Sequence, residues 1–303
     1  MLEFLIFALF SEKSENFLAA QNFEKSQKII LKNFWPEKIP QKNPEKIAPK
    51  LLENPRTAIL AVDTNSGKIL FEKNSARPQK IASLSKILTA LIILENHEID
   101  EIVQISPAAT KILGAQIGIL AHEKMTIGTL LEAALIASAN DAAVALAIFD
   151  AGSEKKFVEK MNARAAQLQL NSAKFFNSTG LDFFDKKEKK FLGNEMSAAD
   201  VLKLTRIALQ KKFFRAAVAK NHFYGTSVDQ KFFHEKPSTN QLLGTFLEIR
   251  GVKTGFTNSA GGCFVALSKK NDTEILTVIL GSDDRFGETK NFLSWIFDAF
   301  LWK

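Results

Sequence analysis

The sequence predicts a mixed α/β fold in which one sheet, built from the two ends of the chain, is covered by an inserted helical region. Three observations carry this expectation. Apolar runs of strand length stand near residue 60 and again between residues 247 and 280. Helical periodicity fills the stretch between them, and no internal repeat interrupts the order. The 303 residues are 46% hydrophobic and 24% charged, a globular make-up with enough length to bury a core without covalent staples. A single cysteine, Cys263, excludes an intrachain disulfide framework and argues against a zinc–thiolate site.

Taken in order, the first fifty residues differ from the rest. Leu2 to Phe10 is an apolar patch followed by charged residues, and it resembles the end of a signal sequence with Ala19-Ala20 as a small-residue cleavage region. It lacks a positive leading segment and Glu3 interrupts it, so an amphipathic helix or a start inside a longer leader are the alternatives. No run approaches the length needed to span a bilayer. Phe34 to Pro55 is rich in Pro and Lys, which suits an extended spacer or a wrapping arm. The expected division is therefore residues 1–50 as signal-like segment and spacer, and residues 51–303 as one catalytic domain. Order begins near Thr57: Ala58–Asp63 and Lys68–Glu72 flank Thr64-Asn65-Ser66-Gly67, the pattern of a β-hairpin. Leu84, Ile87, Leu88, Leu91 and Ile92 form one helical stripe, and Ile127 to Ile148 forms another. Strands are expected at Leu247–Thr254, Gly262–Leu267 and Glu274–Leu280, and Glu288–Trp302 reads as a closing amphipathic helix.

Three short motifs follow one another in the order that a single catalytic site requires. Ser83-Leu84-Ser85-Lys86 opens the first apolar helix. A serine there sits where free backbone N–H groups and the positive helix end favour an oxyanion, and Lys86 emerges one turn deeper on the same face. Burial and a second cation nearby would disfavour its charged form and let the amine act as a base. Ser138-Ala139-Asn140 lies in an apolar helical context, where a hydroxyl and an amide are costly unless both find partners. Ser138 would relay a proton between Lys86 and a leaving nitrogen, and Asn140 would orient a substrate amide. Lys253-Thr254-Gly255-Phe256-Thr257 ends a strand whose edge can pair with an extended peptide. Lys253 and Thr254 would hold a terminal carboxylate, Gly255 would admit the substrate backbone, and the Phe256 and Ser83 N–H groups would form the oxyanion hole. Each motif alone is weak: S-x-x-K recurs at Ser153–Lys156, and S-x-N at Ser14–Asn16 and Ser238–Asn240, all in polar surroundings. The ordered trio, each member in fitting context, is what discriminates.

With these motifs the chain resembles the low-molecular-mass penicillin-binding proteins, specifically the serine D-alanyl-D-alanine carboxypeptidases (peptidase S11). The resemblance runs from about Thr57 to Ala299 and includes AVDTNSGKILFEKN, IASLSKILTALI, SANDAAVALA, FFNSTGLD, SAADVLKLTRIAL, STNQLLG and VKTGFTNSAGGCFVAL. It implies a β-lactamase/transpeptidase-like fold, with an antiparallel sheet from both chain ends flanked by helices, plus an inserted all-helical region. It also implies acylation of Ser83 by a peptidoglycan stem peptide ending in D-Ala-D-Ala, release of D-alanine, hydrolysis of the acyl-enzyme, and β-lactams as covalent inhibitors. Arg285, in GSDDRFGETK, lies where the family often carries a basic residue near the substrate carboxylate. The chain departs from the family at Ala139, where glycine is usual, and stops before the C-terminal β-rich domain and anchoring helix of several members.

Other chemistry finds little support. His97, His122, His222 and His234 form no metal pattern, and His122-Glu123 lacks a second histidine at Thr126, so neither metal nor cofactor is expected. The excess of 40 basic over 33 acidic residues favours an anionic partner. Only seven of the 40 are Arg, which argues against base-reading recognition, so no nucleic-acid partner is expected. Peripheral membrane association and an extracytoplasmic location at the cell envelope or periplasm fit the resemblance. The Lys-rich run at 185–190 reads as a solvated loop or a contact for anionic wall polymer, and Cys263 as a buried, inert thiol. The competing readings are a DD-endopeptidase with the same machinery, a β-lactamase and a non-catalytic peptidoglycan- or penicillin-binding module. The E-x-x-L-N deacylation motif of class A β-lactamases is missing, the nearest string, Glu188 to Asn194, having the wrong spacing.

Overall fold

A computed structural model describes residues 40–46 and 54–302. The signal-like stretch Leu2–Phe10 and Ala19-Ala20 lie outside the described residues. The main sheet has five antiparallel strands: β1 (Ala58–Asp63), β2 (Ile69–Lys73), β3 (Ile249–Thr257), β4 (Gly261–Lys270) and β5 (Thr273–Ser282), in spatial order β3-β4-β5-β1-β2. The first hairpin turns where expected. Asp63 Oδ1 accepts from the Ser66 backbone N–H (2.7 Å) and hydroxyl (2.6 Å), and Gly67 takes φ +70° to send the chain back. Strand alternation then explains why β1 is buried along its whole length. Ala58, Leu60 and Val62 face the larger core, and Ile59 and Ala61 face a smaller one on the opposite side. Strands β4 and β5 divide in the same way, with Cys263, Val265 and Leu267 against Phe264 and Ala266, and Leu276 and Val278 against Ile275 and Ile279. The sheet is therefore the middle of three layers, and both chain ends build it as the sequence predicts.

The larger core lies under the helical region: α1 (Lys86–Asn96), α2 (Ile127–Ile136), α3 (Asn140–Ala151), α4 (Glu154–Gln167), α5 (Ala198–Ala208) and α6 (Lys212–Ala217). Helix α1 is buried from Lys86 to Ile93, and each leucine or isoleucine in that span contributes roughly 1.5–3 kcal/mol. The smaller core is covered by α7 (Arg285–Ala299), whose Phe292 and Trp295 pack edge-on to Phe71 of β2. Among the described residues no helix is long and apolar enough to cross a membrane.

Three boundaries differ from expectation. The apolar stripe Ile127–Ile148 is two helices, broken where Ser138 takes φ +59°, so the second motif forms a helix–helix corner rather than a helical turn. Strand β3 starts at Ile249, because Leu247 (φ +59°) and Glu248 (φ +40°) occupy left-handed backbone that no strand accommodates. The closing helix begins earlier, where the Asp284 side chain accepts from the Gly287 N–H (3.0 Å). It also ends earlier, because Phe300–Leu301 turn out to pair antiparallel with Gln41–Lys42. That pairing lays part of the Pro/Lys-rich segment against the end of α7.

Candidate active site

The first motif lies on a 3-10 turn, Ala82–Ser85, that runs into α1. Ala82 sits at φ +47°, an unfavourable conformation for a residue with a β-carbon, held by the Ser85 hydroxyl donating to its carbonyl (2.8 Å). Ser83 is half-buried, and its Oγ lies 3.1 Å from Lys86 Nζ. Lys86 is fully buried. Its amine donates to Asn140 Oδ1 (2.7 Å) and to the Thr179 carbonyl (2.8 Å). Burial first and the nearby Lys253 second hold its pKa well below the usual lysine range, with Asp141 pulling the other way. Both carbonyl oxygens only accept, so they consume the two hydrogens of a neutral amine. The lone pair is left for the third neighbour, the Ser83 hydroxyl, which can donate.

The corner between α2 and α3 brings Ser138 to Lys253 on β3, with Ser138 Oγ 2.8 Å from Nζ. Lys253 also donates to the Thr254 carbonyl (3.0 Å), and its pKa is pushed down to about 7, by burial first and by Arg285 second. Ser138 thus meets Lys253 directly. Asn140 is committed at both ends: Oδ1 accepts from Lys86, and Nδ2 donates to the Leu113 carbonyl (2.7 Å). Its geometry makes it a positioning residue for Lys86 and leaves one amide hydrogen for any substrate. Gly114, at φ +85°, makes room, since a β-carbon there would stand 2.8 Å from Asn140 Nδ2. Ala139 has φ −61° and ψ 121°, open to any residue, and its methyl is fully buried, so this departure from glycine leaves the corner intact.

Strand β3 is an edge strand and closes the other wall. A β-carbon on Gly255 would stand 3.1 Å from the Ser83 backbone nitrogen and 3.0 Å from the Ile81 carbonyl, so the missing side chain lets the strand lie against the Ser83 turn. Thr254 Oγ1 donates to Thr239 Oγ1 (2.7 Å), and Phe256 is 59% exposed at the rim. The Arg285 guanidinium lies over the Phe256 and Phe286 rings at 5.9 and 4.6 Å. Its Nε is buried with no hydrogen-bond partner among the described groups, the state of a donor that an anion would satisfy. Cys263, directly across from Gly255, is fully buried and its thiol is pushed up to about 11, so it is inert.

The third wall was not assigned from the residues. Asn177 Oδ1 accepts from the N–H groups of Thr179 (3.2 Å) and Gly180 (2.7 Å), a local turn that aims the Thr179 carbonyl at Lys86. Asn194, fully buried, ties this loop to the turn that carries Ser83. Its Oδ1 accepts from Phe176 N (2.7 Å), its Nδ2 donates to Ser85 Oγ (2.9 Å), and its carbonyl accepts from Ile81 N (3.0 Å). Asp141, whose Oδ2 accepts from Gly118 N (2.9 Å), braces the loop above Asn140. The turn-forming string Asn177-Ser178-Thr179-Gly180 was the available signal for a loop, but not for which carbonyl it presents.

The D-alanyl-D-alanine carboxypeptidase family profile matches residues 46–284. A D-alanyl-D-alanine carboxypeptidase of Bacillus subtilis is 31% identical over 281 residues, covering 90% of this chain and 69% of that one. A D-alanyl-D-alanine endopeptidase of Escherichia coli is 27% identical, covering 78% and 76%. Among solved structures, a DD-transpeptidase of Streptomyces superposes with a TM-score of 0.71 at 23% identity, covering 79% of this chain and 96% of that one. A penicillin-binding protein of Listeria monocytogenes in its ampicillin-bound form superposes at 0.67 with 25% identity, covering 79% and 96%.

Proposed function

The chain belongs to the D-alanyl-D-alanine carboxypeptidase family, a serine peptidase family, and from that premise we propose that Ser83, Lys86 and Ser138 carry its chemistry. The observation behind the proposal is the set of three partners around Lys86 Nζ, which leaves a neutral amine's lone pair for Ser83 Oγ. Ser83 Oγ attacks the carbonyl of the penultimate D-alanine while Lys86 takes its proton. The oxyanion is held by the backbone N–H groups of Ser83 and Phe256, a reading supported by the close approach of Gly255 to the Ser83 nitrogen. Ser138, polarised by Lys253, passes its proton to the departing D-alanine nitrogen and takes in its place the proton that Lys86 received from Ser83. Water then attacks the ester while Lys86 takes its proton and returns it to Ser83 Oγ as the acyl–oxygen bond breaks. Arg285, the unsatisfied donor at the rim, and Thr254, whose hydroxyl turns from Thr239 to the substrate, bind the terminal carboxylate of the peptide, and Lys253 supports it from behind. Asn140 places Lys86 and offers its remaining N–H to the substrate.

The substrate class is the peptidoglycan stem peptide ending in D-Ala-D-Ala, and β-lactams acylate the same serine. The ampicillin-bound relative supports the latter. Such a substrate puts the enzyme outside the cytoplasm at the cell envelope, in peripheral contact with the membrane. The endopeptidase-named relative keeps cross-link cleavage as the second activity of this site. Mass spectrometry of muropeptides after incubation separates the two: loss of one terminal alanine marks a carboxypeptidase, and halving of cross-linked dimers marks an endopeptidase. Ser83→Ala must abolish both, together with the covalent penicillin adduct. Release of D-alanine by that variant at the wild-type rate would refute the assignment.

A further inference from the structure

Just before the nucleophile's supporting loop rejoins the body, the chain leaves as a short hairpin, Phe183–Asp185 paired with Lys190–Leu192. A solvated loop would be polar throughout, and this one is not. Phe184 and Phe191 face each other across the ladder with ring centroids 5.4 Å apart, yet they are 51% and 59% exposed. Phe183, on the neighbouring position, is 39% exposed and stacks edge-on to Phe176, over which Lys174 lies at 5.0 Å. The tip carries Lys186, Lys187, Lys189 and Lys190, all exposed. Its two acids are spent locally. Asp185 Oδ1 accepts from the N–H groups of Lys187 (2.7 Å) and Glu188 (3.0 Å), and Glu188 pairs with Lys190 (2.5 Å). Among the described residues Lys186, Lys187 and Lys189 have no ion pair.

We propose that this hairpin docks the enzyme on a bilayer surface containing anionic lipid. Exposed phenylalanines enter the boundary between headgroups and acyl chains, and lysines beside them meet the lipid phosphates. An anionic wall polymer would need the lysines alone and would leave the aromatic pair unexplained. The hairpin is also fixed to the catalytic cleft. Lys80 Nζ donates to the Phe191 carbonyl (2.8 Å), Asp182 at its root accepts from the Ser259 hydroxyl beside the end of β3, and Gly180 lies against Ala82 and Ser83. Docking through it orients the cleft toward substrate held at that surface. The inference rests on the envelope location proposed above, not on the catalytic roles.

The test is sedimentation of the full chain with vesicles of phosphatidylcholine alone and with added phosphatidylglycerol. Two variants accompany it, Phe184→Ser/Phe191→Ser and Lys186→Glu/Lys187→Glu/Lys189→Glu, with thermal melting to show that both fold. The expected result is binding to the anionic vesicles only, weakened by salt and reduced about tenfold or more in each variant. Retention of wild-type binding by the phenylalanine variant would overturn the proposal, since charge alone or another segment, Leu2–Phe10 included, would then carry it. So would sedimentation with isolated anionic wall polymer but not with vesicles. Penicillin adduct formation is scored separately: its loss in the wild type, with vesicle binding intact, would sink the catalytic roles and leave the docking surface standing.

Discussion

Replacing Asn140 with aspartate changes one atom's chemistry and almost no volume, yet it should silence the site at neutral pH. The change puts a carboxylate oxygen where the amide oxygen now stands, 2.7 Å from Lys86 Nζ. At an effective dielectric constant of about 20, unit charges at that separation attract by roughly 6 kcal/mol. If relaxation, the desolvation of the new carboxylate and its repulsion from the Leu113 carbonyl, which now accepts from Nδ2, together remove half of this, about 3 kcal/mol still favours the ammonium form of Lys86, or about a hundredfold in its protonation equilibrium. In the wild type, burial and Lys253 favour the neutral amine, so the substitution reverses the balance that lets Lys86 accept the Ser83 proton. Acylation by a fluorescent penicillin, followed by stopped flow, should slow by up to about a hundredfold at pH values below the raised pKa. Because the amine must first lose a proton, the rate should climb about tenfold per pH unit until the raised pKa is passed. Asn140→Ala should also be slower, but without that displaced pH limb. An aspartate variant that acylates at the wild-type rate, or whose deficit is flat with pH, would refute a neutral Lys86 as the base.

Further outcomes follow from the same geometry. Lys253 has a folded pKa of about 7 against 10.5 for an ordinary lysine, so the unfolded chain binds more protons than the folded one between those values and stability rises with pH across that window. Lys253→Met should therefore raise the melting temperature at pH 7 by several degrees and flatten the stability–pH curve up to about pH 10, while penicillin acylation falls. Calorimetry that finds an unchanged slope would contradict a buried, reluctantly charged Lys253. Gly180→Ala places a methyl into the Ala82 carbonyl and 2.9 Å from the Ser83 nitrogen, at φ +87°. Urea unfolding should show about 2–4 kcal/mol of destabilisation, with slower labelling of the folded fraction, whereas wild-type values on both would mean the loop yields freely.

How much of this was legible beforehand depended on whether side chains or backbone carried the information. Ser83, Lys86, Ser138 and Lys253 could be singled out because each motif stood in fitting context, and the structure brings them together. The apolar run at Ala58–Asp63 marked a strand of the hairpin but not that both of its faces are covered. The break at Ser138 was invisible, since Ala137 and Ala139 continue the apolar pattern and a single left-handed residue leaves no trace in periodicity. The Thr179 carbonyl that aims Lys86 is main chain and has no residue signature. Asn194 reads as a polar residue in a loop until the fold brings it between Ser85 and Phe176, 109 and 18 positions away. Sequence spacing placed Asn140 toward substrate, because it could not show that Lys86 had already claimed its oxygen.

The order of strands also has a temporal meaning. The proposed nucleophile and base lie at positions 83 and 86, whereas the wall beside them lies at 249–257 and pairs within the sheet only with β4. β1, next to the first strand of that late block to reach it, waits for residues 273–282 before one of its edges is satisfied. A growing chain therefore carries its reactive serine for most of its synthesis without a cradle for the oxyanion, and long-range pairing of this kind closes late and slowly. On the proposed roles, reactivity toward acyl donors comes with completion of the sheet, and a chain cut before residue 249 should retain Ser83 yet take no penicillin label.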